Sequence, residues 1–76
     1  MTLSKFIEKI QSYPDCEKYT SAIGKKCYRT YGDYNWFVLQ CSKLNLKTKM
    51  LESGYEAQGN GFTLEYIEHD IILAIS

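Results

Sequence analysis

Long apolar runs are missing from this chain. Nowhere do the roughly 18 consecutive hydrophobic residues of a membrane span occur, so no membrane partner is expected. Proline is reduced to Pro14, and with 24% charged and 45% hydrophobic residues the composition is that of a folding chain rather than a disordered one. Histidine is reduced to His69, so any metal site or acid–base pair must build on that residue with carboxylates or cysteines from elsewhere. Its neighbours Glu68 and Asp70 point to the opposite face from it on a regular strand, and a solvated turn histidine is the expected reading. No P-loop, GxGxxG, GxSxG or HExxH pattern is present. Catalysis and a cofactor are therefore not expected.

Cysteine is sparse and odd in number: Cys16, Cys27 and Cys41, with no CxxC pair and no secretory apolar segment ahead of them. This predicts reduced thiols in a cytoplasmic protein, with one disulfide plus a free thiol as the alternative. Core packing explains such residues in most proteins. A thiol enzyme would need one of them activated, and Cys27, close to Lys25 and Lys26, is the candidate by sequence.

What the chain has in abundance is tyrosine, seven against three phenylalanines, so many rings carry a hydroxyl that needs water or a partner. A chain of 76 residues is one domain that buries only about 60% of its unfolded surface, which favours a shallow surface site over a deep pocket. Charge is divided along it: residues 1–51 hold nine basic and four acidic side chains, a balance of +5, and residues 52–76 hold five acidic and no basic ones, a balance of −5.

Thr2 or Ser4 can cap a helix whose apolar residues Leu3, Phe6, Ile7 and Ile10 share one face, ending near Ser12 ahead of Pro14. Pro14 then begins a second, weaker helix with Cys16, Tyr19, Ala22 and Ile23 on one side and Gly24 as its stop. From Lys26 the period changes to two. Tyr28 and Thr30 alternate with Cys27, Arg29 and Tyr31, and Gly32-Asp33-Tyr34-Asn35 turns into Trp36-Phe37-Val38-Leu39, the densest apolar run and an expected strand buried on both faces. Leu44, Leu46, Thr48 and Met50 alternate with Lys43, Asn45, Lys47 and Lys49 in a half-buried strand.

Gly59-Asn60-Gly61 is a turn, after which Phe62, Leu64 and Tyr66 open a strand expected to return on the lysine strand, with Met50 opposite Phe62 and Lys47 opposite Glu65. The four isoleucines Ile67, Ile71, Ile72 and Ile75 favour a last strand over residues 71–75 rather than the end of a helix over 63–75. The predicted architecture is α+β: one or two N-terminal helices packed on an antiparallel meander of four to five strands.

The expected function is that of a small non-enzymatic protein-binding module, of the inhibitor, immunity-type or adaptor kind. Its binding residues would be Tyr28, Arg29, Tyr31 and Tyr34 of the hairpin, with Lys25 and Lys26. The same residues interleave cations with rings, so single-stranded nucleic-acid binding, helped by Lys43, Lys47 and Lys49, is the first alternative and a thiol-dependent enzyme the second. The C-terminal strand, uncharged over a long stretch, is the candidate edge for a homodimer.

Overall fold

The N-terminal helix forms as its pattern predicts. In the computed structural model, which describes residues 1–76, α1 spans Leu3–Gln11, and the Thr2 side chain accepts the Lys5 N–H at 3.2 Å. Phe6 and Ile10 are fully buried.

Pro14 does not begin a second helix. Residues 13–16 make a tight turn in which the Cys16 N–H donates to the Tyr13 carbonyl, and the chain leaves it as β1 (Glu17–Thr20), antiparallel to β2 (Lys26–Tyr31). The anticipated helix had a thin apolar face, and tertiary pairing overrides so weak a local preference. As a strand the segment answers the backbone along one side of β2. The preceding Asp15 carboxylate reaches β2 as well, accepting the Thr30 hydroxyl and the Tyr31 N–H, each at 2.8 Å. The loop 21–25 closes this hairpin with Gly24 at φ +82°.

The hairpin expected between residues 26–31 and the apolar run is absent, because that run is helical. Asp33 caps α2 (Tyr34–Lys43), its Oδ1 accepting the Trp36 N–H at 2.8 Å. Phe37, Gln40 and Cys41, spaced i, i+3, i+4, are buried, whereas Val38 and Leu39 are 39% and 50% exposed. An unbroken apolar run has no period, and here the cap decides its form. The helix ends in a Schellman motif: Asn45 sits at φ +57°, its N–H bonds Ser42 O, and the Leu46 N–H bonds Cys41 O. That ending consumes the first half of the lysine alternation, so only β3 (Thr48–Met50) is strand.

Three more strands follow, β4 (Tyr55–Gly59), β5 (Phe62–Ile67) and β6 (Asp70–Ile75), and all six form one antiparallel sheet of order β1-β2-β6-β5-β4-β3. β4, of which the sequence showed only the closing turn at Gly59-Asn60-Gly61, lies between β3 and β5 and replaces the expected register. Met50 pairs with Tyr55, Lys49 with Glu56, and Glu56 with Glu65, so Lys47 does not meet Glu65. Residues 70–75 are strand, as the isoleucines indicated. Yet β6 is central, between β2 and β5, and the free edges are β1 and β3, so it is not the edge for self-pairing. Glu68 and His69, at φ +47° and +69°, form the two-residue turn that joins β5 to β6. The class is α+β as predicted, with six strands and with the second helix placed after β2.

Both helices pack on one face of the sheet. Phe6, Ile10, Phe37 and Cys41 meet Tyr28, Leu64, Ile71 and Leu73, and Lys9 Nζ of α1 donates to Gln40 Oε1 of α2 at 3.0 Å. Fully burying side chains of the Phe or Leu type contributes about 1.5 to 3 kcal/mol each, which makes this layer the main source of stability. The row Arg29, Ile72, Glu65 and Glu56 runs across the other face.

Candidate binding cleft

The geometry that joins α1, β1, β2 and α2 leaves a cleft at the end of the sheet where β2 hands over to α2. It measures about 470 Å³ and is lined by Tyr13, Pro14, Asp15, Tyr31, Gly32, Asp33 and Trp36. Each element supplies part of it for a local reason. Tyr13 and Pro14 stand in the turn that ends α1, and Tyr13 meets Trp36 edge to face at 5.9 Å between ring centroids. The first turn of α2 holds Trp36, which also packs against Phe6 at 6.2 Å. Gly32 lets the chain pass close beneath: a Cβ there would lie 2.9 Å from Ile71 Cγ1 and 3.6 Å from Trp36 Cε3. Its N–H donates to His69 O at 2.8 Å, which ties the cleft to the β5–β6 turn.

Tyr31 is 70% exposed, the most open ring of the cleft, and lies stacked on His69 with centroids 5.6 Å apart. From there an aromatic row continues: His69 contacts Tyr66, Tyr66 contacts Tyr34, and Tyr34 contacts Tyr55 at 4.9 Å. Tyr31 and Tyr34 thus occupy the same end of the molecule, one exposed and the other half packed.

Of the remaining sequence-predicted binding residues, Arg29 lines the depression next to Tyr31, and Tyr28, Lys25 and Lys26 lie apart from it. Tyr28 is 4% exposed and belongs to the core beneath the helices. Side-chain alternation explains this: Tyr28 and Thr30 share the inner face, and Tyr31 turns away from it. Arg29 lies on the outer face, where Glu17 accepts its hydrogen bond and, with its charge, holds the guanidinium pKa above the usual value. Lys25 and Lys26 stand at the start of β2, the opposite end of the strand from Tyr31. The interleaving of cations and rings along residues 25–34 is therefore a property of the sequence that the strand and the helix pull apart.

The cleft is acidic. Asp15 and Asp33 line it, and an adjoining depression that shares Asp15 and Tyr31 adds Glu17 and Asp70, with Arg29 as its one cation. The Thr30 hydroxyl, and after it the Tyr31 amide, hold the Asp15 carboxyl below the ordinary carboxylate range, so this residue stays charged.

The three thiols are unpaired. Burial pushes Cys41 up to about 11, and burial with the nearby Asp15 and Glu17 charges raises Cys16. Cys27 is 3% exposed, its Sγ 3.6 Å from Lys25 O. No three His, Cys, Asp or Glu side chains converge as metal ligands would. His69 is an exposed turn residue, as expected. No helix is long and apolar enough to cross a membrane.

Sequence reasoning missed Tyr13, Pro14, Asp15, Asp33 and Trp36 as parts of one site. A usable signal was present: Asp33 stands three residues before Trp36, the spacing of an N-cap and its N3 amide. No protein-family model, curated protein or solved structure matches the chain.

Proposed function

We propose that this chain is a small non-enzymatic protein-binding module, an inhibitor or adaptor acting in the cytoplasm, and that it engages its partner through the cleft beside Tyr31. The observation that carries the reading is the placement of the 70% exposed Tyr31 ring at the wall of a shallow cleft that also holds Trp36 and Tyr13. Rings of this kind supply contact area at small entropic cost and dominate interface energetics. Nucleic-acid binding is less well supported. Lys47 and Lys49 share their groove with Glu56 and Gln58, while the open ring lies among carboxylates, which repel phosphate.

The test is affinity capture from the native host with wild-type and Tyr31→Ala bait, with and without nuclease. Because Tyr31 is mostly outside the core, the variant keeps the wild-type melting temperature and loses the captured protein. A partner retained by Tyr31→Ala, or lost after nuclease treatment, contradicts the proposal.

A further inference from the structure

The charge and the surface of the cleft define what fits it. Its walls are aromatic, so the occupant offers a flat or apolar surface. Its rim carries Asp15 and Asp33, with Glu17 and Asp70 in the depression next to it, against a single arginine already engaged by Glu17. A cation that stacks on rings satisfies both conditions, and an anionic ligand fails the second whatever its shape.

Among cationic side chains, guanidinium and ammonium behave differently here. Lysine carries a compact, strongly hydrated charge that loses water poorly beside an aromatic wall. Arginine is planar, weakly hydrated, stacks on ring faces and, while stacked, keeps its edge N–H groups free to donate to a carboxylate oxygen. Asp33 commits Oδ1 to the Trp36 N–H and leaves Oδ2 without a protein partner, so an acceptor is in place at the cleft. Tyr31 stands between the cleft and its neighbouring depression and lines both, so a chain crossing that ring can lay residues into each.

We infer that the cleft accepts an arginine side chain delivered by an extended segment of a partner protein, its guanidinium stacked in the aromatic cleft and donating to Asp33 Oδ2. This rests on the protein-binding reading of the same surface and specifies the partner's chemistry. Asp15 adds its charge to the cleft lining; Arg29 is tied to Glu17, and the other cation near the rings, Lys9, lies with its Nζ 5.9 Å from the Trp36 centroid and is committed to Gln40 Oε1.

Trp36 is the only tryptophan in the chain, so its emission reports occupancy of the cleft without a label. The full chain is titrated with a blocked, tryptophan-free hexapeptide containing two arginines separated by one proline, and with versions carrying lysine or glutamate in place of both arginines. The arginine peptide gives a saturable change in emission, the lysine peptide binds about fivefold more weakly, and the glutamate peptide has no effect. Asp33→Ser, which keeps a capping oxygen and removes the charge, weakens the arginine peptide about tenfold with little change in melting temperature. Equal binding of the lysine peptide, binding of the glutamate peptide or of an oligothymidylate, or an Asp33→Ser affinity equal to wild type overturns the inference. If no peptide changes the emission while capture of a protein still depends on Tyr31, the arginine assignment falls and the binding-module reading stands. If that capture is also lost, both fall.

Discussion

Replacing Phe37 and Leu39 one at a time separates the helix at residues 34–43 from the buried strand that their sequence suggests. Phe37 is fully buried against Tyr66, with ring centroids 5.8 Å apart, and Leu39 is 50% exposed. Phe37→Ala removes a core ring and leaves a cavity, a change that costs about 3 to 5 kcal/mol. Leu39→Gln gives up at most half of a leucine's burial and exchanges two residues of similar helix propensity, so its cost stays under about 1.5 kcal/mol.

For a chain of this length the whole stability is about 4 to 11 kcal/mol, so the first variant sits near the limit of folding and the second does not. Urea unfolding at 25 °C followed by circular dichroism measures both, and on heating each kcal/mol moves the midpoint by roughly 4 to 8 °C. Phe37→Ala then melts at least about 12 °C below wild type, and Leu39→Gln falls by less than that, within about 12 °C of wild type. A strand buried on both faces would make Leu39→Gln leave an amide unsatisfied in the core, at a cost of about 2 kcal/mol or more. Equal losses for the two variants would refute the helical assignment.

Two carboxylates carry opposite pH signatures. Asp15 has its pKa lowered, chiefly by the Thr30 hydroxyl, so its contribution is complete above the unfolded value near 4 and is lost as pH falls through the lower folded value; Asp15→Asn flattens the loss of stability on acidification, and an unchanged slope in thermal melts taken below about pH 4 would contradict this. Glu65 has its pKa raised, first by burial and then by Glu56, so its ionisation opposes folding at neutral pH, and Glu65→Gln raises the melting temperature at pH 7. A lower melting temperature for Glu65→Gln would show that the charge is answered by a neighbour such as Lys25. Gly54 faces backbone: a Cβ there would lie 2.1 Å from the Tyr66 carbonyl oxygen, so Gly54→Ala forces β4 off β5 at a cost of about 1 to 3 kcal/mol, and a chemical denaturation midpoint equal to wild type would contradict the close approach.

The parts legible in the sequence are those where one signal acts alone. Leu3, Phe6, Ile7 and Ile10 with Thr2 ahead of them specify α1, the alternation of residues 26–31 specifies β2, and the isoleucines around Glu68-His69 specify a hairpin. Elsewhere two signals compete. Trp36 to Leu39 lacks a period, and the decisive features lie outside it, in the Asp33 cap and the Asn45 stop. The lysine alternation through residues 43–50 imitates a strand, although its first members complete a helix whose end is set by a backbone geometry that asparagine tolerates.

β4 was hidden by the glycines on either side of it, and without it the pairing of β3 and β5 went astray. Once β4 stands between them, Lys47 and Glu65 no longer cancel, while the pairing of β2 with β6 sets Asp70 beside Tyr31 together with Asp15 and Glu17. The site followed the same logic. Tyr31 was legible as an open ring, but its companions come from segments assigned to other elements, and Tyr28 looked like its equivalent until strand alternation turned it inward.

The arrangement on which the cleft depends is the meeting of the turn after α1 with the first turn of α2. A nuclear Overhauser spectrum of the native chain tests it in one measurement. Cross-peaks are expected from the Trp36 indole to the Tyr13 and Phe6 rings, together with helical contacts between residues three apart through 34–43. Cross-strand contacts from residues 35–41 to residues 26–31, with no contact between Trp36 and Tyr13, would contradict it.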